Sequence, residues 1–191
     1  MRKAYTRASR SSFAGTQMSS LTLRRKRPGD WMPERLWNQV KRYMPIPCVD
    51  VIVEDSGGRI LLGWRRIQPY RNVWALPGGR IYKGEPLQAA AKRILAEYGL
   101  AARELFLVGV FPIRFPSRSD LPVCVAAKRP KGSAKADGRE FSRFRWTKRL
   151  PRALGTNYRR MITQWNKTKR NPTVVRHNRL QKRHGKKAQD L

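Results

Sequence analysis

Acidic residues are scarce in this chain: 12 Asp and Glu stand against 43 Lys and Arg, and the formal net charge is +31. An enzyme for small phosphate compounds needs a few cations in one cleft, whereas this excess runs along the whole chain. Such self-repulsion is tolerable when a polyanion neutralises it, and nucleic acid is the most common partner of that kind. The charge therefore favours an RNA-binding protein. The simpler alternative is a basic surface without a specific partner.

Cysteine and histidine are also rare, with two of each. Cys48 and Cys124 lie in the apolar runs PCVDVIV and LPVCVAA, where free thiols are expected as small core residues in a reducing compartment. His177 and His184 are distant from both cysteines, so the spacing excludes a zinc site of Cys and His ligands. No apolar run approaches the roughly 18 residues that span a membrane, so we expect no membrane partner.

Composition divides the chain into three segments. Residues 1–30 are rich in Ser, Thr, Gly and Arg without periodicity, which predicts an extended basic arm. Residues 31–166 hold the periodic apolar patterns of a domain, and residues 167–191 again lack a core pattern and predict a basic tail. The arm composition is also typical of a mitochondrial transit peptide. We expect a cytoplasmic, ribonucleoprotein-associated location, with a mitochondrial one as the alternative.

A helix is predicted at each end of the domain. In WMPERLWNQVKRYM, residues 31–44, Leu36, Val40 and Tyr43 recur at helical spacing, and Pro33 suits the first turn. GTNYRRMITQW predicts a second helix with Thr156 as its N-cap. The predicted apolar face of this second helix consists of Tyr158, Met161, Ile162 and Trp165.

Strands are predicted between these helices. PCVDVIVEDSGGRILLGW, residues 47–64, has two β-branched runs around the turn Asp55-Ser56-Gly57-Gly58, a pattern typical of a hairpin. Further strands are predicted at ELFLVGVFPIRF, LPVCVAAK and FRW, with the polar loop KRPKGSAKADGRE before the last. This order of elements predicts an α/β domain.

The stretch WALPGGRIYKGEPLQAAAKRILAEYGL, residues 74–100, joins a Gly-Gly loop to a helix over residues 86–98. It resembles the box of the Nudix hydrolase family, G-x5-E-x7-R-E-U-x-E-E-x-G-U, in which U is a bulky apolar residue. Gly79 and Glu85 match the first half of the box, and the run from Glu97 to Leu100 matches its end. The resemblance implies a Nudix-type α/β/α sandwich with a mixed sheet over residues 47–166.

The box is one residue short, so its middle can be aligned in two registers. In one register Lys92 takes the arginine position and Arg93 the first helix glutamate, and in the other Arg93 is the box arginine. Both registers leave Ala96 in place of an acid and Glu97 as the last glutamate. The full box holds magnesium with acids on one helix face. Arg93 could instead form a surface ion pair with Glu97, four residues later.

Within the family, the motifs VDVIVEDSGGRILLGWRR, WALPGGRIYKGE and AEYGL look like the GDP-mannose mannosyl hydrolase branch, over roughly residues 33–166. This resemblance implies that the Gly78 carbonyl and the Glu97 carboxylate bind magnesium. It also implies that Arg65 and Arg80 neutralise the diphosphate leaving group, and that Asp50 faces the sugar. The competing interpretation is that Asp50 forms a structural pair with Arg65 or Arg80, since a buried acid needs a partner.

The branch has a glutamine ligand and a general-base histidine before its last strand. Counting back from Arg145 and Trp146, these positions fall near Glu140 and Phe141. Glu140 could still bind metal, whereas Phe141 cannot accept a proton. Loss of a general base lowers a rate by roughly 10²–10⁴. The resemblance therefore implies a degenerate hydrolase site.

Two functions follow from these patterns. The first is a Nudix-fold RNA-binding protein, a component or partner of a ribonucleoprotein such as the ribosome, with ribosomal RNA as the expected RNA. The second is a magnesium-dependent hydrolase of nucleoside-diphosphate sugars. For the first we expect phosphate contacts mainly from residues 1–30 and 150–191. The candidate RNA-binding residues are Arg24, Arg25, Lys26, Arg27, Arg159, Arg160, Lys167, Lys169, Arg170, Arg176, Arg179, Lys182, Arg183, Lys186 and Lys187.

Overall fold

The computed structural model describes residues 32–180, so the predicted arm and the candidate RNA-binding residues at 24–27 and 182–187 lie outside the described residues. The helices are α1 (Glu34–Tyr43), α2 (Leu87–Glu97), α3 (Thr156–Thr168) and α4 (Pro172–His177). The strands are β1 (Ile46–Glu54), β2 (Ile60–Arg65), β3 (Trp74–Ala75), β4 (Gly78–Arg80), β5 (Leu100–Ala101), β6 (Glu104–Val110), β7 (Ile113–Phe115), β8 (Arg118–Lys128), β9 (Lys131–Gly132) and β10 (Phe141–Thr147).

The main sheet has the strand order β10-β2-β1-β8-β6, and the short strands β3, β4 and β7 pair with β2, β1 and β8. β1 is parallel to β8 and antiparallel to β2, so the predicted mixed sheet is confirmed. The predicted hairpin at residues 47–64 becomes β1 and β2, and the predicted helix at 86–98 becomes α2. Gly99, with φ of 73°, ends that helix as expected, because glycine tolerates the left-handed region.

Alternate residues of β1 face opposite sides of the sheet, and each side has its own helix. Trp165 of α3 donates a hydrogen bond from Nε1 to the buried carboxylate of Glu54, at 2.8 Å. α3 therefore covers the face that Glu54 shares with Asp50. A Cβ on Gly79, which pairs with Val49, would lie 2.6 Å from Ile94 of α2. α2 therefore covers the opposite face, and β1 is buried along residues 49–54 because both faces are covered.

α3 belongs to the core, as its predicted apolar face indicated, but its predicted N-cap is wrong. Its N-cap is Gly155 and not Thr156, and no side chain caps this helix. The predicted apolar face of α3 is buried, and Trp165 is fully inaccessible. Lys169 Nζ donates to Glu54 at 2.5 Å and adds an ion pair to this anchor. Phosphate contacts from this part of the expected range, residues 150–191, can therefore come only from the exposed side of α3 and its flanks.

The first part of the predicted tail, residues 167–180, is folded. Asn171 caps α4 by accepting hydrogen bonds from the backbone N–H groups of Thr173 and Val174. Leu180 then donates its backbone N–H to the carbonyl of Leu105 on the edge strand β6, at 2.8 Å. Residues 167–180 are thus held by helix capping and edge pairing, two features that a search for core periodicity does not detect.

The helix predicted near the start of the domain exists as α1, but its predicted apolar face is not buried. Leu36 is 49% exposed and Tyr43 is 73% exposed. Trp37 instead points toward β4, where the Arg80 guanidinium lies 3.8 Å from the centre of its ring. α1 therefore packs through a cation–π contact at one end of the sheet. No helix in the described residues is both long and apolar enough to cross a membrane.

Candidate active-site cleft

A cleft of about 270 Å³ opens on the α3 side of the sheet. Its floor comes from β1, β4 and β8, and its walls come from the loop at residues 66–70 and from the start of α3. Five of the six predicted catalytic and metal-binding residues line it: Asp50, Arg65, Gly78, Arg80 and Glu140. The sixth, Glu97, does not line it.

Asp50 lies on the floor of the cleft, with 8% of its surface exposed. Burial raises its pKa from the ordinary 3.8 to about 7; the Arg65 charge opposes this rise, and Glu140 and Asp120 add to it. No ion pair involves Asp50 among the described residues. The predicted structural pair with Arg65 or Arg80 is therefore absent from that part of the chain, and the carboxylate is available to a ligand.

Gly78 is required next to Asp50, because its backbone forms the surface on which the aspartate rests. The two residues are paired across β1 and β4, so a Cβ at position 78 would point to the side of Asp50. Such a Cβ would overlap Asp50 Oδ1 and also lie 3.0 Å from the Val49 carbonyl oxygen. Glycine therefore brings the main chain of β4 to the floor of the cleft.

The two predicted arginines hold different positions. Arg65 is fixed by its neighbours: Nε donates to the carbonyl of Pro69 at 2.7 Å, and Nη1 forms an ion pair with Glu140. Arg80 forms no ion pair within the described residues and lies against Trp37. Partial burial and the nearby Arg118 charge lower the pKa of Arg80, so a bound anion would be favourable there. Arg80 is the better anion-binding group of the two.

An acid and an arginine in the cleft were not predicted. Arg118 donates from Nε and Nη2 to the two oxygens of the buried Asp120, at 2.8 and 2.9 Å. β8 runs parallel to β1 with Asp50 opposite Cys124, so Asp120 lies on the same face as Asp50. Asp120, Pro122 and Cys124 are alternate residues of β8 and share one face of the sheet. This pattern identifies Asp120 as a cleft residue only when the parallel register with β1 is known. Tyr158, predicted as core, is buried and also lines the cleft.

The thiol of Cys48 also lines the cleft and is half-buried, whereas Cys124 is fully buried, and both are free. Burial raises the pKa of Cys48 to about 12, and the nearby Asp120 and Asp50 add to this rise. A thiol with so high a pKa is protonated at neutral pH and is a poor nucleophile. Cys124 is therefore a core residue, as the sequence predicted, whereas Cys48 is only partly buried and faces the cleft.

Glu97, expected as a magnesium ligand, forms an ion pair instead. Arg93 Nη1 lies 2.9 Å from its carboxylate, and the Glu97 side chain is 46% exposed. Arg93 also donates two hydrogen bonds to Glu85, at 2.8 and 3.0 Å, and one to the Arg80 carbonyl. In the second alignment register, Glu85 is the first box glutamate and Arg93 is the box arginine. These two residues form an ion pair, which favours that register.

The residues present do not fit a divalent metal ion. Magnesium needs several oxygen ligands in nearly octahedral order. Glu140 is bound by Arg65, Glu97 is bound by Arg93, and α2 packs on the face of β1 away from Asp50. Among residues 32–180, no three His, Cys, Asp or Glu side chains are grouped so that they could hold one metal ion. The expected set of Gly78, Glu97 and Glu140 is therefore not assembled in this structure.

Phe141, at the position expected for the general base, is a core residue. It is fully buried and makes an edge contact with Tyr98 at 5.4 Å between ring centres. Its ring occupies the space beside Gly63, where any Cβ would overlap it. Apolar packing thus takes the place of a base, as the sequence indicated.

The candidate RNA-binding residues between Arg159 and Arg179 divide into two groups. Lys169 and Arg179 form ion pairs with Glu54 and Glu104, and Arg159 donates to the carbonyl of Pro151, so these side chains hold the fold. The others form no ion pair within the described residues and are exposed: Arg160, Lys167, Arg170 and Arg176. Sequence alone could not separate the two groups, because their partners are distant in the chain.

The motif, the sheet and the cleft agree with one family model. The NUDIX domain model matches residues 44–151, which is more than half of the chain. The chain belongs to the Nudix family. Nudix hydrolases generally use a divalent metal ion, so the unassembled ligand set is a departure from the family. The family predicted from the sequence is confirmed.

Three Nudix-like relatives show the range of the similarity. Low-salt glycan biosynthesis protein Agl8 of Haloferax volcanii is 34% identical over 71 residues, 37% of this chain and 45% of that protein. A putative 8-oxo-dGTP diphosphatase of Bacillus subtilis is 35% identical over 118 residues, 60% of this chain and 76% of the relative. RNA pyrophosphohydrolase of Novosphingobium aromaticivorans is 43% identical over 63 residues, 32% of this chain and 38% of the relative. The chain thus spans less than half the length of the first and third relatives.

Solved structures show the same fold. The MutT protein of Methanosarcina mazei Go1 superposes with a TM-score of 0.60 at 18% identity, over 66% of this chain and 97% of that one. At this identity the likeness concerns the fold alone. It confirms the α/β class and the Nudix topology predicted from the sequence.

Proposed function

We propose that this protein is an RNA-binding member of the Nudix family whose cleft holds the phosphate groups of a nucleotide and hydrolyses them weakly or not at all. The observation that carries the proposal is the pairing of both expected metal-binding glutamates with arginines. Arg93 binds Glu97 and Arg65 binds Glu140. With both carboxylates paired, and with Arg65, Arg80 and Arg118 lining the cleft, the site suits phosphate binding better than metal-dependent hydrolysis.

The distribution of charge supports RNA as the ligand. Ion pairs within residues 32–180 engage only six cations: Arg59, Arg65, Arg93, Arg118, Lys169 and Arg179. The other lysines and arginines of residues 32–180 form no ion pair with another described residue, and most of them are exposed and can neutralise phosphates. A single nucleotide needs only a few of them, whereas a nucleic acid chain can contact many. We extend the proposal to ribosomal RNA and ribonucleoprotein neighbours as partners.

The test measures RNA affinity and hydrolysis with the same protein. Full-length chain is titrated with fluorescent single-stranded RNA at several salt concentrations, and native extract is crosslinked and sedimented. Submicromolar binding with a steep salt dependence, and cosedimentation with a ribonucleoprotein, are expected. Weak binding at physiological salt together with efficient turnover of a nucleotide substrate would reject the proposal.

A nucleoside-diphosphate-sugar hydrolase is the second candidate, and Asp50 favours it. A buried carboxylate with a pKa of about 7 is suited to proton transfer near neutral pH. Arg80, outside any ion pair in the described residues, would neutralise charge on a diphosphate leaving group. The glycan biosynthesis name of the Haloferax volcanii relative is compatible with a sugar-linked substrate. Magnesium-dependent turnover of GDP-mannose tests this candidate directly.

A further inference from the structure

A second cavity, of about 460 Å³, lies between α1 and the hairpin of β7 and β8. Four cationic side chains line it: Lys41 and Arg42 from α1, Arg114 from β7 and Arg118 from β8. Asn38, Ser117 and Ser119 add polar groups, and no acidic side chain of the described residues lines it. Its volume is within the range of nucleotide and cofactor sites. We name it the α1 groove.

Three of the four cations in the α1 groove lie outside the ion pairs of residues 32–180. Arg118 is bound by Asp120, whereas Lys41, Arg42 and Arg114 take part in none of those pairs. Lys41 lies against the ring of Trp37 and Arg42 against that of Tyr43, which holds both cations near α1. Like charges in one concave surface raise the local potential and attract anions. The α1 groove is therefore chemically suited to phosphate.

The α1 groove adjoins the candidate active-site cleft. Phe115 and Arg118 line both cavities, so these two side chains form their common border. Arg80, which belongs to none of the ion pairs in the described residues, lies against Trp37 of α1. The ring centres of Phe115 and Tyr70 are 5.5 Å apart in an edge-to-face arrangement, and Tyr70 also lines the cleft. A ligand with a phosphate near Arg80 can thus extend past Phe115 toward the α1 groove.

We propose that the α1 groove is a subsite for the sugar-phosphate backbone of an RNA whose phosphorylated end occupies the cleft. This inference rests on the proposed function and specifies its ligand: a single-stranded RNA bound by its end. A lone nucleotide would leave the α1 groove empty. An RNA chain would place successive phosphates on Arg80, Arg114, Lys41 and Arg42. Single-stranded nucleic acid is commonly bound in this way, by a cationic groove with aromatic borders.

The test uses two full-length triple variants that remove the same amount of charge. The groove variant carries Lys41→Gln, Arg42→Gln and Arg114→Gln. The control variant carries Arg103→Gln, Lys148→Gln and Arg149→Gln, all exposed. Arg103 precedes β6 at the end of β8 opposite to the hairpin, and the other two follow the edge strand β10. Both variants are titrated with single-stranded RNA carrying a 5′ diphosphate, with GDP and with poly-glutamate.

The groove variant is expected to bind the RNA about tenfold more weakly or worse, with a salt slope lower by about 2, because three cations that bind phosphate are removed. The RNA affinity of the control variant should change little, and the affinity for GDP should be the same in both variants. Equal weakening of RNA binding in the two variants would show that binding depends only on the total charge of the chain, which would overturn the subsite. Weaker GDP binding by the groove variant would mean that the cleft was disturbed, which also overturns a separate subsite. Tight, groove-dependent binding of poly-glutamate would identify an acidic peptide instead.

The two proposals fail in different ways. If the unmodified chain binds RNA and the groove variant binds it equally well, the subsite is wrong and RNA binding stands. If the unmodified chain does not bind RNA, both are wrong. Thermal unfolding of the variants provides the fold control, because substitutions of surface side chains outside ion pairs change stability little.

Discussion

Asp50 rests directly on the main chain of Gly78, so closely that any Cβ at position 78 would overlap its carboxylate. This contact places an acid of raised pKa on the floor of the cleft. It also explains why the residue paired with Asp50 on β4 is a glycine. A carboxylate on a backbone surface can reach a ligand without a neighbouring side chain in between. Ligand binding and stability should both depend on this contact.

The variant Gly78→Ala should lose nucleotide binding and part of its stability. The added methyl group must displace Asp50 or separate β4 from β1, and overpacking of this kind costs about 1–3 kcal/mol. Chemical denaturation and nucleotide titration measure the two effects. Gly57→Ala in the hairpin turn is the matched control, since its Cβ meets only Asp55 Oδ1 at an ordinary 3.5 Å. Denaturation and titration curves that are similar for Gly78→Ala and Gly57→Ala would contradict the close contact between Gly78 and Asp50.

The free energy of unfolding should depend on pH through Asp50. Its pKa is about 7 in the folded chain and near 3.8 when unfolded, so the folded state holds a proton that the unfolded state has lost between these values. Stability therefore falls as pH rises through this window and stays low above it. Asp50→Asn should be more stable than the unmodified chain at about pH 8, and the difference should disappear near pH 4.

Asp55→Asn is the control for this pH dependence, because its effect should have the opposite sign. The pKa of Asp55 is lowered: slight burial opposes the shift, and hydrogen bonds from the backbone and side chain of Arg59 outweigh it. Its carboxylate thus stabilises the fold above its unfolded pKa, and the stability is lost as pH falls. Asp55→Asn should be less stable than the unmodified chain at neutral pH and equal to it in acid. If the free energy of unfolding changes in the same direction in Asp50→Asn and Asp55→Asn at neutral pH, the pH dependence does not arise from Asp50.

Arg93 should contribute far more through Glu85 than through Glu97. The Arg93 and Glu85 side chains are only 11% and 13% exposed, so Arg93→Met leaves a mostly buried carboxylate without this ion pair and costs about 3–5 kcal/mol. Glu97→Gln removes an exposed pair and costs about 0–1 kcal/mol. Urea denaturation of the single variants and of Arg93→Met with Glu85→Gln measures the coupling. Additive effects of Arg93→Met and Glu85→Gln would show that this contact does not matter.

Hydrolysis of GDP-mannose with magnesium should be weak or absent. The two expected carboxylate ligands, Glu97 and Glu140, form ion pairs with arginines, and Phe141 stands at the position of the base. Turnover is therefore expected to stay below about 1 s⁻¹, under the rate of ordinary enzymes. The measurement is product release with and without magnesium, for the unmodified chain and for Glu97→Gln. Turnover above that level that Glu97→Gln abolishes would establish a working metal site and support the second candidate function.

RNA affinity should fall when charges near the chain ends are removed. In one variant Lys182, Arg183, Lys186 and Lys187 become Gln, and in another the four basic residues at 24–27 become Gln. For single-stranded RNA, the salt slope should decrease by about 0.7 for each phosphate that the variant can no longer neutralise. Affinity is measured between about 50 and 300 mM salt, around the physiological range. Curves that coincide with the unmodified chain would show that these cations do not contact RNA.

Local patterns in the sequence were sufficient for the main helices and strands of the domain. The hairpin at residues 47–64 and the helix at 86–98 follow from alternation, turn residues and helical spacing, which act between near neighbours. The box residues then identified the family. Both kinds of signal fail for α4 and for the pairing of Leu180 with Leu105, because a capped short helix and an edge contact need few apolar residues.

Composition and motif by themselves determined an α/β Nudix domain and a strongly basic chain, and the family resemblance implied six site residues. Tertiary structure decided what those residues do. Glu97 and Glu140 meet arginines, Arg118 and Asp120 join the cleft through the parallel register of β8, and Lys41 comes near Arg114. The reason is physical: electrostatic and packing partners are chosen by distance in space, and the sequence pattern reports only distance along the chain.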